Sequence, residues 1–136
     1  MIWMRILFSF AFMASVVSSA AEGKTEAYRA VIGSDGIQHV EMVGGGYFFK
    51  PSHIIVKVNV PVELTVKKET GIVPHNIVMK EPAAGMEFEV SLSSEPQIIK
   101  FTPTKTGIYP FYCSKKPPLL KSHREKGMEG KLEVVE

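Results

Sequence analysis

The chain has 136 residues, 22% of them charged, and a formal net charge of only +2. So slight a basic balance excludes a nucleic-acid binder, which needs a strong positive field. One cysteine, Cys113, excludes an internal disulfide even in a compartment that would form one.

The amino terminus reads as an export signal. Arg5 supplies a positive charge, Ile6 to Val17 is almost wholly apolar, and Ser18-Ser19-Ala20-Ala21 offers the small residues a signal peptidase reads. The apolar run falls short of the roughly twenty residues a membrane crossing takes. Residues 1–21 are therefore expected to be removed as a signal peptide, the alternative being an uncleaved anchor. Loss of Arg5 leaves 15 basic residues against 14 acidic. Residues 22–36 read as a polar leader and 37–136 as one domain, large enough for one core. The mature chain has no further stretch apolar enough to span a bilayer and is expected in the periplasm as a monomer.

Short β-type runs follow in order. Ile37 to Val43 is expected as a strand stopped by Gly44-Gly45-Gly46, followed by Tyr47-Phe48-Phe49 and, after Lys50-Pro51, by His53 to Val58. Val62-Glu63-Leu64-Thr65-Val66 alternates apolar and polar, the pattern of a half-buried strand. Further strands are expected at His75 to Met79, Phe88 to Leu92, Gln97 to Thr102, Gly107 to Cys113 and Lys131 to Val135. No stretch holds a helical period over three turns, and nine prolines and eleven glycines punctuate the chain. The expected fold is all-β: an antiparallel Greek-key β-sandwich without internal linkers.

The chemistry gathers near the carboxyl end. An apolar strand, Gly107-Ile-Tyr-Pro-Phe-Tyr-Cys113, delivers the lone thiol to its tip. A basic, proline-containing loop follows, then His123, Met128 and a final strand. Far upstream, Val73-Pro74-His75-Asn76 carries a second histidine, and a sandwich can bring the two segments together at one end. A thiolate and two imidazoles with a weak thioether suit both Cu(I) and Cu(II). Zinc prefers four strong ligands and rarely takes methionine. In an oxidising compartment, metal ligation would also protect a thiol that is otherwise exposed to oxidation.

From Tyr47 to Glu136 the sequence resembles the cupredoxin, or blue copper, family. The resemblance lies in Tyr47-Phe48-Phe49-Lys50-Pro51, Pro74-His75-Asn76, Phe111-Tyr112-Cys113, and His123 with Gly127-Met128-Glu129-Gly130. It implies one copper ion held by His75, Cys113, His123 and an axial Met128. Asn76 corresponds to the residue that ties the two ligand segments together. One departure is plain. The family usually keeps two to four residues between the cysteine and second histidine, whereas Ser114 to Ser122 intervene here. The insertion either bulges away and leaves a standard site or opens a ligand position, and the first is expected.

His39 and His53 are expected to stand apart from the site, and Met86 is a rival to Met128 for the axial position. The basic residues Lys115, Lys116, Lys121, Arg124 and Lys126 either solvate the loop or draw an acidic partner. Leu119-Leu120 beside them is a candidate apolar docking spot. The resulting expectation is an electron carrier rather than an enzyme, working with redox partner proteins. A periplasmic copper buffer or chaperone, or a small copper protein with an open ligand position, is the alternative.

Overall fold

The computed structural model describes residues 26–136. The expected signal peptide and the first residues of the leader lie outside the described residues. Among the described residues, no helix is long and apolar enough to cross a membrane.

The described residues form eleven strands: β1 (Tyr28–Arg29), β2 (Val31–Ile32), β3 (Gln38–Gly45), β4 (Phe48–Lys50), β5 (His53–Lys57), β6 (Val62–Lys68), β7 (Asn76–Glu81), β8 (Met86–Ser91), β9 (Gln97–Phe101), β10 (Gly107–Tyr112) and β11 (Glu129–Val135). One sheet has the order β1-β5-β11-β10-β7-β8, the other β2-β3-β6-β9 with β4 paired to β3. A 3₁₀ turn, Pro82–Ala84, links β7 to β8. The segment read as a leader contributes β1 to one sheet and β2 to the other.

The sandwich is as expected, with one correction to its pairing. Both sheets are mixed rather than purely antiparallel, because β3 runs parallel to β6 and β5 parallel to β11. Long connections carry the chain from one sheet to the other before it pairs again, which brings non-consecutive strands side by side in the same direction.

Alternation along the strands builds the core. Val40 and Met42 of β3 and Leu64 and Val66 of β6 turn inward from one sheet; Ile54 and Val56 of β5 and Leu132 and Val134 of β11 meet them from the other. Each aliphatic side chain so buried contributes roughly 1.5–3 kcal/mol. Phe49 and Phe111 join the sheets edge to face, with ring centroids 5.5 Å apart.

The expected stop at Gly44-Gly45-Gly46 is also corrected. β3 runs on through Gly44 and Gly45, which pair with Phe49 and Phe48 of β4. A Cβ on Gly44 would lie 2.7 Å from Leu92 Cδ1, so glycine here permits close packing rather than ending the strand.

The pairing of β7, β10 and β11 positions the chemistry. Tyr112 lies opposite both Val78 and Glu129. The residues just beyond these strand ends (His75 before β7, Cys113 after β10 and Met128 before β11) therefore emerge at the same end of the sandwich.

Candidate metal centre

Strand geometry delivers three metal-ligating side chains to one buried point. His75, Cys113 and His123 are 4%, 0% and 2% exposed, and their ligand atoms all lie within 4.8 Å of one another. His75 Nδ1 is 3.1 Å from His123 Nδ1, while Cys113 Sγ is 4.0 Å from the first and 3.5 Å from the second. The point equidistant from the corners of that triangle is about 2.1 Å from each, within the roughly 2.0–2.3 Å of nitrogen and sulfur bonds to a first-row ion such as zinc. The donor set therefore fits one transition-metal ion without movement of the backbone.

The surrounding hydrogen bonds hold the frame. The Asn76 backbone N–H donates to Cys113 Sγ at 3.5 Å. Asn76 Nδ2 donates to Ser114 Oγ at 2.8 Å, and Ser114 N–H donates to Asn76 Oδ1 at 2.8 Å. Asn76 thus locks the segment after His75 to the segment after Cys113. Glu89 of β8 accepts a further bond from Asn76 Nδ2 at 3.3 Å.

Burial and nearby cationic groups disfavour protonation of both imidazoles. Burial, reinforced by His123 and then Lys68, holds His75 below the ordinary imidazole value. Burial, reinforced by Lys126 and then Lys115, does the same for His123. A neutral imidazole offers the lone pair that metal binding needs.

The inserted loop closes on itself. His123 N–H donates to Lys115 O at 2.9 Å, so residues 116–122 leave and return between two points already in contact. Leu119 stands fully exposed on this excursion with a φ of 60°, and Leu120 is 59% exposed. His123 arrives beside Cys113 much as it would from a short loop. The chain then turns tightly: Met128 N–H donates to His123 O and Cys113 N–H donates to Met128 O, each at 3.0 Å. Met128 is fully buried there. Arg124 fastens this turn, lying 4.1 Å over the Tyr112 ring and bonding Glu129 at 2.8 Å.

The other candidates are engaged elsewhere. His39 lies between Asp35 at 2.7 Å and Glu63 at 3.4 Å, and His53 pairs with Glu133 at 2.8 Å. Met86 opposes Glu81 while Asn76 opposes Ser91, so Met86 sits at the far end of the β7–β8 hairpin. Five residues of strand place it roughly 17 Å from the level of Asn76.

The roles of Tyr47 and Lys126 escaped sequence reasoning. Tyr47 meets both imidazole rings edge-on, with centroids 5.9 Å from His75 and 5.0 Å from His123, and Lys126 Nζ lies 4.4 Å over its ring. Tyr47 has a φ of 63°, in a two-residue hairpin turn with Gly46 at 54°. A bulky side chain in that region costs about 1–3 kcal/mol. The available signal was an aromatic residue placed directly after a glycine turn, where asparagine or glycine is usual.

Comparison with known proteins agrees on architecture. No family model matches the chain, and no curated protein matches it in sequence. Among solved structures, the metal-binding domain of a Cu(I)-exporting P-type ATPase of Streptococcus pneumoniae superposes with a TM-score of 0.64 and 25% identity, covering 84% of this chain and 100% of that one. Auracyanin of Roseiflexus castenholzii gives 0.58 and 21%, covering 72% of this chain and 97% of its own. Auracyanin A, a blue copper protein of Chloroflexus aurantiacus, gives 0.54 and 20%, covering 74% and 100%. The chain has the cupredoxin fold. Its histidine–cysteine–histidine cluster lies where three cupredoxin strand ends converge, at the end of the sandwich opposite Met86.

Proposed function

We propose that this cupredoxin-fold chain is an exported electron carrier, not an enzyme, holding one copper ion through His75, Cys113, His123 and Met128. The observation that carries the reading is the buried triangle of one thiol and two imidazoles, already at bonding distance from a common point. Copper supplies a one-electron couple that such a donor set with a weak thioether serves in both oxidation states.

The chain's own residues keep that donor set rigid. Asn76 joins the two ligand-bearing segments and directs its backbone N–H at the sulfur. The edge-on contacts of Tyr47 restrict rotation of both imidazoles and keep bulk water off them. A donor set that does not rearrange between oxidation states exchanges electrons at low cost. Burial of all four side chains favours a closed site over one with an open ligand position.

Docking falls to the same end. Lys115, Lys116, Lys121, Arg124 and Lys126 flank the exposed pair Leu119-Leu120 along the chain, on the segment that carries His123. A basic rim with an apolar tip suits an acidic redox partner in the periplasm, met by a monomeric carrier through steering that weakens with salt.

The likeness to the metal-binding domain of a Cu(I) exporter supports a second reading, a copper buffer or chaperone that uses the same ligands. Voltammetry with electron self-exchange followed by NMR separates the two. The carrier reading expects a reversible couple and rapid exchange between the two oxidation states. Slow exchange together with ready delivery of Cu(I) to an apo acceptor would overturn it in favour of the chaperone.

A further inference from the structure

Tyr47 occupies a position that works against its own backbone. Its hairpin turn needs positive φ at both central residues, a conformation that glycine and asparagine adopt readily and an aromatic residue resists. From this turn the ring reaches both imidazoles, at 5.0 and 5.9 Å. Elsewhere around the cluster the contacts are hydrogen bonds and packing: Asn76 with Ser114, the Lys115–His123 and His123–Met128 backbone bonds, and the core residues Cys113 and Met128. Tyr47 is half-buried, with its ring against both imidazoles.

Two further features bear on how that cover moves. Lys126, itself exposed, lies over the Tyr47 ring at 4.4 Å and ties it to the turn that carries His123 and Met128. A cleft of about 220 Å³ opens along the same edge, between the β3–β4 turn and residues 69–73, with His75 in its wall. The ring therefore has space into which to swing, and its displacement would uncover His75 and then His123.

We propose that Tyr47 and Lys126 form a latch over the two imidazoles, and that an ion or small reagent reaches or leaves the site by opening it into the cleft. The inference rests on the metal-site reading for its consequence, but the latch itself is a property of the apo protein. Tyr47 is a positioning and gating residue that holds the rings and contributes no ligand atom.

The test uses the metal-free protein. Diethyl pyrocarbonate transfers an ethoxycarbonyl group to an accessible imidazole nitrogen, releasing ethanol and carbon dioxide. Peptide mapping gives the rate at each histidine, with His39, exposed and distant from the latch, as the reference in the same sample. Loss of the two edge contacts and the cation–π contact in Tyr47→Gly is expected to raise labelling of His75 and His123 relative to His39 by about tenfold. Lys126→Ala should raise it by a smaller factor, and Tyr47→Phe, which keeps the ring, should match the parent.

Glycine relieves the backbone strain but gives up the packing of Tyr47 against the core, so labelling is read far below the denaturation midpoint measured for each variant, which separates opening of the latch from loosening of the whole fold. Tyr47→Asn, which also tolerates the turn, serves if the glycine variant does not fold. Labelling within about twofold of the parent in both folded variants, where loss of the contacts predicts tenfold, overturns the latch. Faster labelling in Tyr47→Phe overturns it too, since the ring would not be the barrier.

Transfer of Cu(I) from loaded protein to a bicinchoninate chelator, followed by absorbance, gives the functional arm. Faster transfer from Tyr47→Gly supports gating, and unchanged transfer contradicts it. If the parent takes up no copper, the proposed function fails while the labelling result still decides the latch.

Discussion

The molecule buries polar side chains at both ends of the sandwich, and they are used in opposite ways. At the start of β3, Gln38 is fully buried, and its amide is consumed by backbone: Nε2 donates to Lys57 O at 3.0 Å and Val60 O at 3.1 Å, while Lys57 N–H donates to Oε1 at 2.7 Å. At the other end of β3, beyond the turn, His75 and His123 turn their Nδ1 atoms toward each other and toward a thiol. Gln38 spends its hydrogen-bonding capacity on holding a loop. The imidazoles leave theirs converging on one point. Burial does not distinguish a structural polar group from a functional one; what its polar atoms face does.

This contrast breaks apart under substitution. The largest effect belongs to the ligands: His75→Ala or His123→Ala should lower copper affinity, measured by competition with a Cu(I) chelator, by more than the roughly 10–100-fold typical of supporting residues. Asn76→Ala should fall within that range of 10–100-fold, because it unties the two ligand segments but leaves the donors present. Gln38→Ala should do the reverse. Loss of its three hydrogen bonds leaves buried backbone groups unpaired and should cost about 1–3 kcal/mol in denaturant unfolding, with copper affinity unchanged. If Gln38→Ala weakened copper binding as much as Asn76→Ala, the two ends would not be separable.

Acidification should sharpen the same distinction with a smaller effect. Burial, with help from neighbouring cationic groups, holds both imidazoles below the ordinary value in the folded protein. As pH falls below about 6.5, the unfolded chain takes up protons that the apo fold resists. Apo stability is therefore full above that pH and declines as the pH drops further, until it passes the lowered native values. Gln38→Ala carries no ionisable change and should keep this slope, whereas the double variant His75→Ala, His123→Ala should flatten it. Denaturant midpoints measured between pH 8 and pH 5 check both, the range spanning the ordinary imidazole value.

How much could be read beforehand follows from the same physics. The cluster of His75, Cys113 and His123 was legible because a lone cysteine and two histidines around a terminal strand are chemically specific, even with nine residues between Cys113 and His123. The sandwich was legible from alternation and turn residues in stretches such as Val62 to Val66. The parallel pairing of β3 with β6 was not, since it depends on where long connections return the chain. Gln38 reads as an ordinary polar residue at a strand start, and nothing local announces an acceptor 19 residues away. Tyr47 reads as one of three aromatics. Its role depends on a left-handed turn that aims the ring across the molecule at residues far along the chain.

The central claim is that Cys113, His75 and His123 converge on one copper ion. A visible absorption spectrum of the purified protein after addition of one equivalent of Cu(II), recorded beside Cys113→Ser, tests it most directly. The account predicts an intense thiolate-to-copper charge-transfer band that is absent from the Cys113→Ser variant. A spectrum without that band, from protein shown by metal analysis to hold bound Cu(II), would contradict it.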